Sequence, residues 1–267
     1  MRRSCGAFAF LTAAGLSTAA IAADVHPIVE ADTGYFFGAS ASGKWIKADQ
    51  AAKQISGETA YRLYGLTRAA GEAKGSKPQS IDEPCPDTCG VKFSKEVKER
   101  LIALAAPWNP LPRKAQVLAN TQPAYMDAAR DFLKSRGIKD PVVKITRILR
   151  LDLEGDGEEE VLLSATNYHT RDEGVPTSAK LGSYSFVILR RVVAGQVQTQ
   201  LVAGEFYTKA TTFSAPNYYE ISGVLDLNGD GKLEVVVRSG YYEGGGTTIY
   251  EITQGKLKPV LAVDCGV

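Results

Sequence analysis

The sequence contains few of the side chains on which most catalytic sites depend. Its 267 residues include two histidines, His26 and His169, and four cysteines. It has no G-x-S-x-G, S-x-x-K or H-E-x-x-H motif, no phosphate-binding glycine loop and no dinucleotide fingerprint. We therefore assign no catalytic residue, and we expect His169 to be a solvated loop residue. An enzyme is the less favoured class.

The sequence also lacks an excess of charge of either sign. Lys and Arg number 31 against 30 Asp and Glu, which removes the electrostatic argument for a protein that binds nucleic acid. Apolar residues make up 44% and charged residues 23%, close to ordinary globular values, so a disordered or fibrous chain is excluded. The length allows one large domain or two small ones.

Long apolar runs are absent, and the longest is too short to span a membrane. It extends from about Ala7 to Leu16, follows two arginines and leads to small residues that end at Ala22. This order is typical of a secretory signal peptide. We predict a signal peptide over residues 1–22, cleaved after Ala22 or Ala23, and a periplasmic or secreted protein without a membrane span.

Three cysteines remain after that cleavage: Cys85, Cys89 and Cys265. An exported protein can form disulfides. The turn at Pro86 brings Cys85 and Cys89 close together, which favours a local bond between them. The alternative joins one of the two to Cys265. Either pairing leaves one thiol unpaired.

Residues 24–140 predict a mixed α+β region. Residues 34–48 read as a hairpin that turns at Gly43, and residues 60–68 read as a third strand. Apolar spacing predicts a helix from Lys95 to Ala106, followed by a loop over residues 108–113 that contains two prolines.

A second helix is predicted from about Ala124 to Arg136. Thr121 is the expected N-terminal cap, and Gly137 is expected to end the helix.

Residues 141–267 contain an internal repeat. LDLEGDGEEEV at 151–161 and LDLNGDGKLEV at 225–235 agree at 8 of 11 positions. The similarity extends to the flanking segments, so a whole supersecondary unit is duplicated. Each unit reads as four antiparallel strands, at 144–152, 159–167, 184–193 and 196–206 in the first and at 219–226, 233–241, 246–253 and 256–263 in the second.

The fold class predicted from these patterns is mainly β with a few helices. It consists of two four-stranded antiparallel, blade-like units, at about 144–206 and 219–263, plus the N-terminal α+β region. Two such units cannot close a propeller. We therefore expect them to pack face to face or against the N-terminal half.

The repeated acidic loop is the clearest sign of a binding site. Oxygen-bearing side chains alternate along it and can converge on one hard cation, with a backbone carbonyl from position 7. Ligation by oxygen alone, without His or Cys, favours calcium over zinc or copper. The candidate ligands at positions 1, 3, 5, 7 and 9 are Asp226, Asn228, Asp230, Lys232 and Glu234 in the second loop, and Asp152, Glu154, Asp156, Glu158 and Glu160 in the first.

The loops are not EF-hands, because position 12 is Val237 or Leu163 and the flanking segments are predicted strands. They resemble the calcium loops of FG-GAP or VCBS repeats, found in integrin-type propellers and in many exported bacterial proteins. The resemblance covers about residues 144–267 and implies calcium bound between strands, for stability. Glu154 departs from the usual Asp or Asn, and we expect its longer side chain to weaken the first site. The alternative is that both loops are acidic turns that bind nothing.

Tyrosines cluster in the repeats, at positions 168, 218, 219, 241 and 242, near the glycines at 244–246. We expect them to pack between sheets, with a surface for a glycan or peptide as the alternative.

The predicted function is a non-catalytic, exported, calcium-binding module for an unknown protein or glycan ligand. The alternative is a periplasmic hydrolase, perhaps specific for polysaccharide, in which calcium is structural.

Overall fold

A computed structural model of the chain describes residues 24–170 and 174–267, of which nearly half lie in antiparallel strands. The predicted signal peptide lies outside the described residues. The mainly β fold class is confirmed. No described helix has the length and apolarity that a membrane crossing requires.

The N-terminal region forms a six-stranded sheet in the order β3-β2-β1-β8-β4-β5. The predicted hairpin and third strand are confirmed as β2, β3 and β4. The strands are β1 (His26–Glu30), β2 (Phe36–Ala41), β3 (Lys44–Lys47), β4 (Thr59–Tyr64), β5 (Ala69–Gly75) and β8 (Ile102–Leu104). Short elements connect them, namely α1 (Ala48–Ala51), β6 (Gln79–Ser80) and β7 (Cys89–Gly90).

The predicted helix from Lys95 to Ala106 is wrong. Its apolar half is strand β8, which lies in the middle of the sheet between β1 and β4. Residues 101–104 are all buried, so both faces of the strand are covered. A strand buried on both faces reads as a continuous apolar run, which sequence spacing cannot distinguish from a short helix.

The first repeat forms a sheet in the order β13-β12-β11-β10-β9. Its four predicted strands are confirmed, and β9, which precedes the repeat, adds an unpredicted fifth by pairing with β10. The bounds are β9 (Gln116–Leu118), β10 (Ile145–Leu151), β11 (Glu160–Thr166), β12 (Tyr184–Val193) and β13 (Gln196–Phe206).

The second repeat forms a four-stranded sheet in chain order, as predicted. Its strands are β14 (Tyr218–Leu225), β15 (Glu234–Tyr241), β16 (Gly244–Thr253) and β17 (Lys256–Gly266). In both repeats the last two strands are joined by a two-residue turn, Ala194-Gly195 or Gln254-Gly255, in which both residues have positive φ. Such turns match the twist of the strands they join.

The three sheets pack face to face, with the second repeat sheet in the middle. Val235 and Val237 pack against the first repeat sheet, in a core that includes Leu149 and Leu162. Val236, between them in sequence, points to the opposite face and packs in a core with Ile28 and Leu104 of the N-terminal sheet. The two repeat sheets therefore pack face to face, and the second repeat sheet also packs against the N-terminal half, so both of the expected arrangements occur.

Helix α2 (Pro123–Ser135) covers the outer face of the first repeat sheet, where Ala129 and Leu133 are buried. The helix and its end at Gly137, with φ of 88°, agree with the prediction. The predicted cap is wrong: Gln122 occupies the N-cap position without a side-chain hydrogen bond, and Pro123 begins the helix. Proline is preorganised for that position and needs no amide partner there.

The disulfide joins Cys85 to Cys265, so the favoured local pair with Cys89 is wrong and the alternative is correct. Cys89 is the free thiol, and burial raises its pKa, with a contribution from Asp49. Strand β17 runs beside this region, where the Thr88 hydroxyl donates to the carbonyl of Asp264. The fold therefore brings the distant Cys265 within bonding distance of Cys85, with their Cα atoms 5.6 Å apart.

Candidate metal sites in the repeated acidic loops

Each acidic loop connects the first two strands of its repeat. The first loop runs from Leu151 to Glu160 and the second from Leu225 to Glu234, so each ends with a glutamate that begins the next strand. The flanking segments are strands, in agreement with the rejection of an EF-hand.

In the second loop the predicted side chains turn inward onto the loop backbone. Asp226 accepts hydrogen bonds from the amides of Gly229 at 2.7 Å and Gly231 at 3.1 Å. Asn228 and Asp230 each accept from the amide two residues further on, at 2.9 and 2.8 Å. Glu234 closes the loop by accepting from the amide of Leu227 at 2.7 Å.

The first loop has nearly the same hydrogen bonds. Asp152 accepts from the amides of Gly155 at 2.5 Å and Gly157 at 3.0 Å, and Asp156 accepts from Glu158 at 3.0 Å. Glu160 accepts from the amide of Leu153 at 2.9 Å. The duplicated sequence thus folds into a duplicated loop, with side chains 1, 5 and 9 in the same roles.

Burial differs between the two loops. Asp226, Asn228 and Glu234 are all buried in the second loop, whereas Glu160 alone is buried among the first-loop ligands. Desolvation raises the pKa of Asp226 and Glu160, and it raises the pKa of Glu234 well above the usual carboxyl range. A buried carboxylate is costly unless a cation compensates it.

Arginines compensate the first loop but not the second. Arg191 Nη1 lies 3.3 Å from the Glu154 carboxylate, and Arg113 Nε lies 4.0 Å from the Asp152 carboxylate. Within residues 24–170 and 174–267, no salt bridge reaches Asp226, Asp230 or Glu234. Asp230, Asp226 and Glu251 instead raise the pKa of Glu234 further. The second loop therefore has the greater need for an external cation.

The predicted loop at residues 108–113 braces both acidic loops. The Arg113 guanidinium donates to the carbonyls of Asp152 at 2.8 Å and Gly231 at 2.8 Å, one in each loop. The Trp108 indole N–H donates to the carbonyl of Asp226 at 2.8 Å. The ring of Trp108 also covers Gly229, where a Cβ would lie 3.2 Å from it.

The candidate ligand atoms fit a hard divalent cation, since every side-chain ligand atom is oxygen. Glu234 uses Oε2 to accept from the Leu227 amide. In the described part of the chain no three Asp, Glu, His or Cys side chains are grouped tightly enough to hold a metal as they stand. A bound cation would require these oxygens to lie closer together. The carbonyls of Lys232 and Glu158 remain predicted ligands.

Both histidines have defined packing. The His26 ring meets Trp108 edge-on, with centroids 4.6 Å apart. The expectation of a solvated His169 is wrong, because its ring stacks on Tyr218 with centroids 3.9 Å apart and both ring nitrogens are buried. His26 Nδ1 lies 3.2 Å from the carbonyl oxygen of Ala105.

Sequence reasoning did not find Arg113, Trp108 or Arg191 as part of the loop sites. The sequence did contain a sign of Trp108 and Arg113. Two prolines keep their segment out of helices and strands, so a tryptophan and an arginine there indicate contacts with other parts of the fold. Nothing in the sequence points from Arg191 to Glu154.

Comparisons of this chain with protein-family models, with curated proteins and with solved structures found no match.

Proposed function

We propose that this protein is an exported binding module whose two repeats are stabilised by calcium in the acidic loops. The observation that carries the proposal is the second loop, where Asp226 and Glu234 are buried without an arginine or lysine partner among the described residues. Removing two carboxylates from water without a counter-ion is unfavourable. A bound divalent cation removes that cost.

The proposed role of calcium is structural. Both loops lie at one end of the strand pairs β10–β11 and β14–β15, and Leu153, Leu227 and Leu233 within them are buried. A cation in either loop would fix the position of the next strand and so stabilise the core between the repeat sheets. The resemblance to FG-GAP or VCBS repeats supports the same role, with export directed by residues 1–22.

The test is thermal unfolding of the mature protein in EDTA and then in millimolar calcium. Calcium at a hundred times its dissociation constant adds about 2.7 kcal/mol per site. For a chain of this size, that corresponds to a Tm increase of roughly 5 to 11 °C. The variant Asp226→Ala should lose most of the increase. Asp140→Ala is the control, because it changes an exposed carboxylate outside both loops.

The proposal fails if metal-free, folded protein shows no Tm change with calcium. It also fails if Asp140→Ala and Asp226→Ala reduce the change equally, since the effect would then be general screening of acidic charge. Magnesium is a useful comparison, because its strict octahedral preference should give a smaller increase than calcium.

A further inference from the structure

A groove opens beside the edge strand of the second repeat sheet, and no predicted metal ligand lines it. It consists of two cavities, of about 490 and about 270 Å³, which share His169 and Tyr218. The stacked rings of these two residues therefore stand where the cavities meet. The larger volume lies within the roughly 300–1,000 Å³ typical of small-molecule sites and the smaller lies just below it, so the two together have room for a ligand of more than one unit.

Hydroxyl groups line the smaller cavity. Thr146 and Ser164 lie on neighbouring strands, with their side-chain oxygens 2.9 Å apart. Thr166 lines the same cavity and is 6% exposed, yet its Oγ1 has no hydrogen-bond partner among the described residues. Most buried hydroxyls are paired, and an unpaired one costs stability. A buried, unpaired hydroxyl in a cavity wall points to a ligand that supplies the missing partner.

Aromatic rings line the larger cavity, and glycines determine how they lie. A Cβ at Gly240 would lie 2.7 Å from the Tyr218 ring, and a Cβ at Gly266 would lie 2.2 Å from the Tyr241 hydroxyl. The glycines thus let both tyrosines lie against the sheet backbone. The Tyr241 hydroxyl donates to the carbonyl of Val267 at 2.9 Å, which fixes the ring at the cavity wall.

We infer that this groove binds a saccharide chain, with one sugar unit on the hydroxyl-lined side and the next against the aromatic side. A sugar presents hydroxyls that both donate and accept hydrogen bonds, as Thr146, Ser164 and Thr166 do. It also presents apolar ring faces that pack on tyrosine. A peptide backbone spaces its N–H and C=O groups along an extended chain, whereas one sugar ring carries several hydroxyls, which better matches three hydroxyls in one small cavity. This inference rests on the proposed binding role and names its ligand class.

The test is binding of the full mature protein to maltotriose, cellotriose and chitotriose, with trialanine as the peptide probe, by calorimetry and saturation-transfer NMR. At least one trisaccharide should bind at millimolar concentration or below. The variant Thr166→Val keeps the side-chain shape and removes the hydroxyl, so the affinity should fall about fivefold or more. Its Tm should not fall, because the lost hydroxyl had no partner in the free protein.

Thr199→Val is the matched control, since Thr199 is exposed at the far end of the same sheet, and its affinity should equal that of the wild type. The inference is overturned if no trisaccharide binds the wild type, if Thr166→Val binds as tightly as the wild type, or if trialanine alone binds. A Tm that rises with calcium, together with no saccharide binding, would refute the saccharide inference and leave the calcium proposal standing. Saccharide binding without any calcium effect would support it and refute the proposed calcium role.

Discussion

The backbone amide of Leu233 donates to the carbonyl of Leu153 at 2.9 Å, which joins the two acidic loops directly. Both leucines are buried in the core between the repeat sheets. The two candidate calcium sites are therefore neighbours, although 74 residues separate them in sequence. This hydrogen bond, the Arg113 guanidinium and a shared core all join the two loops.

Arg113 should matter more to stability than its exposed neighbours. Arg113→Ala removes hydrogen bonds to carbonyls in both loops. It should lower the free energy of unfolding by about 2–4 kcal/mol, since bonds from charged donors are worth about 1.5–3 kcal/mol each and are not additive. Urea denaturation measures the change. Arg113→Lys should restore only part of it, because lysine lacks the forked donors.

The control for that experiment is Arg150→Ala, which removes an exposed partner of Glu159 and should cost less than about 1 kcal/mol. Equal losses for Arg113→Ala and Arg150→Ala would show that Arg113 does not brace the loops.

Arg191 should weaken calcium binding at the first site. Its guanidinium donates to the Glu154 carboxylate, which is the predicted ligand at position 3 of the loop. In an Asp226→Ala background, which leaves the first site alone, Arg191→Gln should strengthen calcium binding about threefold to tenfold, by removing a competing positive charge. Calorimetric titration measures the affinity. Arg190→Gln is the control, since Arg190 lies over Tyr125 on the other side of the strand. An affinity that is unchanged or lower would contradict the competition.

Alanine substitutions at two glycines of the second loop distinguish the cost of backbone strain from the cost of a clash with Trp108. Gly229 and Gly231 both have positive φ, of 79° and 84°. A Cβ at Gly229 would meet the Trp108 ring, whereas nothing lies within 4 Å of one at Gly231. Gly231→Ala should cost about 1 kcal/mol from backbone strain alone. Gly229→Ala should cost about 2–3 kcal/mol in the same denaturation assay. Equal losses of unfolding free energy in the two variants would mean that the Trp108 ring moves aside at no measurable cost.

Loss of the disulfide should destabilise the protein substantially. The bond closes a segment with a sequence separation of 180. Chain entropy predicts a stabilisation of about 5 kcal/mol for such a loop, and measured values are often smaller, about 2–5 kcal/mol. Cys265→Ser should therefore unfold at a clearly lower denaturant concentration. Cys89→Ser, which removes only the free thiol, should stay within about 1 kcal/mol of the wild type, and a larger effect would show that Cys89 contributes to the core.

The repeats were predictable because their signals are local. Alternation, turn residues and the duplicated GDG-containing loop predict the bounds of all eight strands to within three residues. The helix over residues 95–106 was wrong because its strand, β8, has no local signal and depends on β1 and β4 being present to pair with it. The disulfide was wrong for the same reason, since only the folded C-terminal strand brings Cys265 near Cys85.

Spacing along the chain predicted the side chains that turn inward at positions 1, 5 and 9 of each loop. Their role as metal ligands remains a prediction. Spacing does not show that Arg191 approaches Glu154 or that Arg113 spans both loops, because those contacts join residues far apart in sequence. The groove at Thr166 and Tyr218 was foreseen only as a tyrosine cluster, since an unpaired buried hydroxyl is a property of packing and leaves no mark in the sequence.

The disulfide between Cys85 and Cys265 affects what proteolysis does to this protein. It makes residues 85–265 a covalent ring, within which a single hydrolysed peptide bond opens the ring without releasing a fragment. Lys180 and Leu181 are exposed in the long segment of the first repeat, and a trypsin-like enzyme can cut there. The nicked chain would stay in one piece until its disulfide was reduced, so damage at this exposed point need not separate the sheets.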